Sequence, residues 1–163
     1  LDQTATVKAI KELQLFLEYY PQSDYSETVH NMLYDLQNNL AQKEYETAKL
    51  YYNLGHYTGN FNYASTSPDA NANNYESCVI TAQNALKEYP YCIQREEFAI
   101  LILRAKYQMA IQSVDEKKRD RMRNAIDEYY AFKNDYPESS YMDEANQMLK
   151  KMNKENGGLV TED

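Results

Sequence analysis

Glycine and proline are scarce in this chain, four of each in 163 residues. Tryptophan is absent, cysteine occurs twice, and 17 Lys and Arg face 25 Asp and Glu. Each shortage excludes something. Few breakers mean few turns and long segments between them, and they close the Gly-rich phosphate loops and the nucleophile elbow. A net charge of −8 argues against general nucleic-acid binding, which needs a cationic footprint. It also weakens charge-driven docking on anionic lipid. No apolar run approaches the roughly 20 residues of a spanning helix. The opening residues, LDQTATVKAI, lack the basic start and apolar stretch of a signal peptide and read as though already inside a helix. The expectation is that upstream repeats and any lipid-anchor segment lie outside this chain. Cys78 and Cys92 are fourteen positions apart, which along a helix is roughly 20 Å. A disulfide needs Cα atoms within about 7 Å, so the two read as small, semi-buried thiols.

What the chain does have is tyrosine, seventeen of them, and the dipeptide Tyr-Pro three times, at Pro21, Pro90 and Pro137. Twelve residues before each proline lie Ala9, Cys78 and Ala125; eight before, Leu13, Ala82 and Tyr129; five before, Phe16, Ala85 and Phe132. Steps of four and three mark one helix face, with small residues where a neighbour comes close. A helix must stop near the residue that precedes proline. Three past each proline stand Asp24, Ile93 and Ser140, and six past stand Glu27, Glu96 and Asp143. Asp24 and Ser140 read as N-caps with an acid in the first turn. Apolar positions follow at eight (Val29, Phe98, Ala145) and twelve (Leu33, Ile102, Leu149). Each Tyr-Pro is therefore a corner, a two-residue turn between antiparallel helices.

The prolines are separated by 69 and 47 residues, against 34 for a tetratricopeptide unit. The first gap reads as two units whose middle corner lacks its proline. Within it, AKLYYNLGHY (Ala48 to Tyr57) resembles the first helix and turn of a tetratricopeptide repeat. The Asn- and Ser-rich residues 58–74 read as an insertion at a hairpin tip, which costs little closure entropy. Expected helices are 4–20, 25–41, 43–55, 75–89, 94–112, 117–135 and 140–152. The predicted fold is all-α: a tetratricopeptide-like α-solenoid of about seven antiparallel helices in a right-handed superhelix, one domain over 1–152. Residues 153–163 are expected to be a disordered tail.

Chemistry is hard to find. His30 and His56 lack neighbours at metal-ligand spacing, and no carboxylate pair stands apart as acid and base. The reading is a non-catalytic protein with no cofactor and no metal site. Tyr51, Tyr52, Tyr57 and Tyr129 fall at helix-packing positions, where a ring fills the gap between stacked helices. Tyr19, Tyr63 and Tyr91 are freer to bind a partner. The sole basic cluster, DEKKRDRMRN (Asp115 to Asn124), reads as a solvated hairpin tip and helix start, with Arg119, Arg121 and Arg123 as a secondary contact. QREEF opens the helix after the second Tyr-Pro. Its acids Glu96 and Glu97 suit the helix dipole; Arg95 does not, so an outside partner is expected for it.

Several stretches together, LDQT, LFLEYYPQSDY, NLAQKEYETAKLYYNLGHY and ALKEYPYCIQREEFAILILRAKY, are similar in that order to the later repeats of the outer-membrane β-barrel assembly lipoprotein family (BamD, also called YfiO or ComL). The most specific element comprises Leu40, Ala41, Glu44, Ala48, Tyr51, Tyr52, Gly55 and Tyr57. The chain departs from that family at the insertion 58–74 and at Cys92, where Thr or Ser is usual. The resemblance implies a lipid-anchored scaffold on the periplasmic face of the bacterial outer membrane. It implies binding to the POTRA domains of the barrel insertase and to other assembly lipoproteins. By matching position, a partner surface falls on Tyr91, Gln94, Arg95, Glu96 and Glu97. Two other classes fit less well. A Tol–Pal-associated envelope coordinator usually carries a Trp-Leu-Gly-Glu helix, and a SusD-type glycan-uptake lipoprotein would be expected to carry Trp platforms.

Overall fold

Six α-helices succeed one another in the computed structural model, which describes residues 3–55, 74–113 and 115–155. They are α1 (Thr4–Tyr19), α2 (Ser26–Leu54), α3 (Asn74–Glu88), α4 (Arg95–Ile111), α5 (Asp115–Asp135) and α6 (Met142–Glu155). No strand occurs among the described residues. The fold is an all-α, tetratricopeptide-like solenoid. Helices that lead into a Tyr-Pro corner (α1, α3, α5) are called B-type here, and those that leave one (α2, α4, α6) A-type. Each B-type helix packs against its chain neighbours, α3 between α2 and α4, and α5 between α4 and α6. The A-type helices also touch one another directly, α2 with α4 and α4 with α6.

The three corners repeat one backbone pattern. The N–H of Tyr20, Tyr89 and Tyr136 donates to the carbonyl of Phe16, Ala85 and Phe132, at 2.8 Å in all three. The N–H two past the proline (Ser23, Cys92, Ser139) donates back to that tyrosine's carbonyl at 3.1 Å. The next helix then starts with Val29, Phe98 and Ala145 donating to Tyr25, Gln94 and Tyr141 at 2.9–3.0 Å. The corner spans six residues rather than two, and the capping expected at Asp24 and Ser140 is not there. Ser23 and Ser139, one position earlier, accept the N–H of Tyr25 (3.3 Å) and Tyr141 (3.0 Å) on their hydroxyls. In the middle corner the thiol of Cys92 takes the equivalent backbone N–H, that of Gln94. Sulfur thus replaces a serine oxygen without changing the turn.

The expected boundary near residue 42 does not exist. Residues 26–54 form one helix, so the described residues hold six helices rather than the expected seven, and the described part of the first gap holds one A-type and one B-type helix. The physical reason is local: NNLAQKEYE (38–46) contains no Gly or Pro, and Leu, Ala, Gln, Lys and Glu are strong helix formers. At ~1.5 Å per residue, α2 is about 43 Å long. It ends at Gly55, the one described residue with positive φ (+53°). A Cβ there would meet the Tyr75 hydroxyl at 2.8 Å, so side chains are excluded by both backbone and neighbour. Of the expected insertion 58–74, Asn74 begins α3 and the rest lies outside the described residues. Of the expected tail, 153–155 are the last turn of α6; 156–163 lie outside the described residues.

Burial follows the register counted from the prolines. Cys78, Ala82 and Ala85 of α3 and Ala125, Tyr129 and Phe132 of α5 are all buried. Two cores result. One joins Ala41 and Ala48 of α2 to α3 and to Phe98, Leu101, Ile102 and Ala105 of α4. The other joins Ile100, Leu103, Tyr107 and Ala110 of α4 to α5 and α6. Helix α4 therefore contributes buried apolar residues to both cores, while Arg104, Lys106 and Gln108 lie half-exposed between them. The tyrosines placed at packing positions do pack: Tyr129 is buried, and Tyr52 meets Tyr75 edge-on at 5.6 Å. Tyr45 closes on Phe98 in the same way at 5.5 Å. Tyr57 and Tyr63 lie outside the described residues. Both cysteines are free and buried; burial pushes the Cys78 thiol up to about 12.

Asn38 is the one buried polar residue among the described residues. Its Oδ1 accepts the N–H of Ile93 at 2.9 Å, and its Nδ2 donates to the Tyr34 carbonyl at 2.9 Å. The second corner is thereby fastened to the middle of α2. Truncating Asn38 leaves the Ile93 N–H without a partner, which costs about 1–3 kcal/mol. Asn38→Ala is expected to lower the unfolding free energy in urea by that amount with an unchanged m-value. A loss below about 0.5 kcal/mol would show that the corner holds without it.

Candidate functional site

The second corner carries the predicted partner surface, and the structure divides its five residues by role. Tyr91 points outward and is 82% exposed. Gln94 donates from Nε2 to Gln42 Oε1 on α2 at 2.7 Å, and its own Oε1 is shielded with no protein partner. Arg95 is exposed; its Nη1 donates to the Pro90 carbonyl of its own corner, and the nearby Tyr136 of the third corner raises its pKa. Glu96 Oε1 accepts the Ser139 hydroxyl at 2.5 Å. Glu97 is half-buried, with one carboxylate oxygen shielded and unpartnered.

Gln94 joins Asn38 in tying the corner to α2, and Glu96 ties it to the third corner through Ser139. Beside Arg95, what remains outward is apolar and aromatic: Tyr91, and Ile93 at 66% exposure. Sequence reasoning missed Ile93, although the signal was present. It occupies the position held by Asp24 and Ser140 in the other corners, so an apolar side chain stands where polar ones are usual. The first corner shows the same character, with Tyr19, Tyr20 and Tyr25 all more than 60% exposed.

The basic stretch does not act as one patch. Arg119 and Arg123, one helical turn apart on α5, are both exposed. Arg121 turns back across the α4–α5 junction and donates to the Ser113 hydroxyl at 2.7 Å. There it lines a hollow of about 210 Å³ with Val79, Ile80, Lys106 and Met109. Lys118 pairs with Glu155 at 2.8 Å. His30 is exposed, and His56 lies outside the described residues. No group of three or more His, Cys, Asp or Glu side chains converges on a metal-sized site among the described residues. No described helix is long and apolar enough to cross a membrane.

A second site, not anticipated from the sequence, lies where the A-type helices meet. Tyr52 of α2, Arg104, Tyr107 and Gln108 of α4, and Glu144 and Lys151 of α6 line a cleft of about 170 Å³. Arg104 holds Glu144 by two hydrogen bonds, Nε to Oε1 at 2.7 Å and Nη2 to Oε2 at 2.5 Å. Its guanidinium also lies 5.2 Å from the centre of the Tyr141 ring. This fork geometry suits arginine and not lysine. Its role here is to lock α6 onto α4.

The chain's similarities are partial. A family model described as the outer membrane lipoprotein YfiO matches residues 1–68, a stretch that contains α1 and α2. No curated protein matches the chain. The first 68 residues are thus similar to an outer membrane lipoprotein family, and the second corner lies beyond the matched stretch.

The Arg104 pair has a pH signature. Its hydrogen bond to Arg104 holds the Glu144 carboxyl below its ordinary value. The pair therefore stabilises the fold above the unfolded-chain value of about 4.3, and that contribution disappears as pH falls through the lower folded value. Glu144 is 45% exposed, so the effect is modest. Urea midpoints measured from about pH 5.5 down to pH 3 are expected to fall less steeply in Arg104→Met than in the unmodified chain. Parallel slopes would show that the pair contributes nothing to stability.

Proposed function

We propose that this chain is a non-catalytic scaffold of outer-membrane β-barrel assembly, acting at the periplasmic face of the bacterial outer membrane. In this reading the second Tyr-Pro corner docks to the POTRA domains of the barrel insertase. The similarity of residues 1–68 to outer membrane lipoproteins supports the assembly role. The observation that carries the docking surface is the outward pair Tyr91 and Ile93 on a corner braced from two sides. An exposed aromatic beside an exposed aliphatic, held without freedom to rearrange, suits an interface anchor, because little ordering cost remains to be met on binding. Arg119 and Arg123, exposed on the same chain, supply a secondary contact through charge.

The roles within the corner make the proposal specific. Arg95 and Glu96 position the tip, and Tyr91 and Ile93 contact the partner. Binding of the chain to the purified POTRA array of the same organism's insertase is expected to weaken at least about tenfold in a Tyr91→Ala, Ile93→Asp double variant. Stability should hardly change, since both side chains are solvent-exposed. Arg95→Glu is expected to weaken binding and to lower stability slightly, because it removes the hydrogen bond to the Pro90 carbonyl within the corner. Full binding by the double variant would move the interface elsewhere on the solenoid. Absence of binding by a helical, cooperatively unfolding chain would remove the POTRA docking itself.

A further inference from the structure

The cleft between the A-type helices carries more hydrogen-bond donors than its locking role needs. Arg104 spends Nε and Nη2 on the two oxygens of Glu144. Its Nη1 has no acceptor among the described residues, and the grip on Glu144 holds it in place. Both oxygens of Glu144 are engaged by that grip. Gln108 accepts the Gln112 amide on its Oε1 at 2.8 Å, which leaves its Nε2 hydrogens for the cleft. Lys151 stands seven residues after Glu144, on the same face of α6. It is exposed and forms no ion pair among the described residues. Tyr52 adds a hydroxyl from α2. The cleft thus offers donors from three helices, while the acceptors of Glu144 and Gln108 are already in use.

Charge and size narrow the ligand. Arg104 and Lys151 against Glu144 leave one positive charge in the cleft, in a chain whose net charge is −8. That matches a single carboxylate. A phosphate group brings about −1.5 to −2, more than one unpaired lysine balances. The volume, about 170 Å³, lies below the roughly 300–1,000 Å³ of pockets that enclose a whole small molecule, and suits one side chain. Tyr107 and Met148, both buried, give the methylenes of that side chain an apolar bed. The cleft also lies inside the array, bounded by α2, α4 and α6, each of which is present. It is not an end face that a further helix of the array would cover.

We propose that this cleft binds the side-chain carboxylate of a glutamate in an acidic peptide segment of a partner protein. The carboxylate accepts from Arg104 Nη1, Lys151 Nζ and the Tyr52 hydroxyl, and the methylenes lie against Met148 and the Tyr107 ring. The donors are fixed by helix packing and by the Arg104 fork before the ligand arrives, so little ordering cost remains.

The probe is acetyl-Gly-Glu-Gly-amide, titrated into the full isotope-labelled chain and followed by backbone amide shifts in NMR. Saturable shifts are expected at Tyr52, Gln108 and Lys151, with Tyr91 and Ile93 unmoved. The Gln counterpart has the same shape without the charge and is expected to bind at least about tenfold more weakly. Tyr52→Phe keeps the ring that meets Tyr75 and is expected to weaken the Glu peptide about tenfold, the size of one hydrogen bond to a charged group. Lys151→Ala should weaken it by up to about fivefold, the size of an exposed ion pair. A shrinking preference for Glu over Gln in both variants is the readout that a merely structural role would not move. Three results would overturn the proposal: no saturable shift with the Glu peptide, equal affinity for the Gln peptide, or unchanged binding in both variants. Tighter binding of inorganic phosphate would overturn the carboxylate, and tighter binding of acetyl-triglycine, charged only at its terminus, would overturn the side chain. Shifts at Tyr52 and Lys151 on Glu162→Gln with no peptide present would overturn the partner, by making the chain's own acid the occupant. The cleft shares no residue with the second corner, so failure here leaves the proposed docking there standing.

Discussion

The Asn38 amide holds the array to its longest element. Helix α2 runs past the second corner without a break, and a six-residue corner lying against the middle of a helix leaves a backbone N–H facing a surface whose own groups are all engaged in the helical ladder. Only a side chain can meet it. Asn38 Oδ1 accepts that N–H from Ile93, and Nδ2 returns to its own helix at the Tyr34 carbonyl. Both ends of one short amide are thereby used inside a nearly dry contact, where an unmade hydrogen bond costs most. From that attachment the corner sets where α3 and α4 lie on α2, and α4, which supplies buried residues to both cores, sets where α5 and α6 lie on it.

The corners explain how few breakers can organise a long helical chain. Each uses the proline to stop one helix, a tyrosine carbonyl to turn the chain, and a Ser or Cys two residues on to receive the first free N–H of the next helix. The unfilled backbone groups of two helix ends are met within six residues. Because the solution is local, the N–H to carbonyl bonds at Tyr20, Tyr89 and Tyr136 and two past each proline repeat with equal distances in chemically different surroundings. The bracing between the second and third corners comes from polar side chains, Glu96 accepting the Ser139 hydroxyl. Rigidity at this edge is thus obtained from polar contacts, and the apolar side chains Tyr91 and Ile93 are left outside.

The same alternation of helices gives α1 and α6 unlike faces among the described residues. The exposed residues of α6 are polar, and the Arg104 fork locks the helix onto α4. In α1 the residues at the same register as the buried ones of α3 and α5 are half-exposed. A single register, counted back from each proline, thus describes the core between the described helices.

Much of this was legible in the amino-acid order, and the limits of legibility are physical. The three corners, the apolar ladder before and after each proline, and the all-α class are consequences of local rules: proline stops a helix, and a period of 3.6 sorts residues onto faces. What the order of residues could not convey was absence. Dividing the 69 residues between the first two prolines into two repeat units put a boundary near residue 42, but nothing there breaks a ladder, and a helix continues unless something stops it. The caps fell one residue from expectation because the corner's hydrogen-bond pattern, not the identity of the nearest polar residue, decides which oxygen meets the free N–H. The partner surface shows the division most clearly. The resemblance pointed to Arg95, Glu96 and Glu97 as a charged partner-facing turn. Only the tertiary structure brings the third corner beside the second, where Ser139 engages Glu96 and Tyr91 and Ile93 stand as the most exposed apolar side chains of the corner. Local chemistry therefore determined where the chain bends and which faces are apolar. Packing between segments distant in sequence decided which of those faces and charges remain available to a partner.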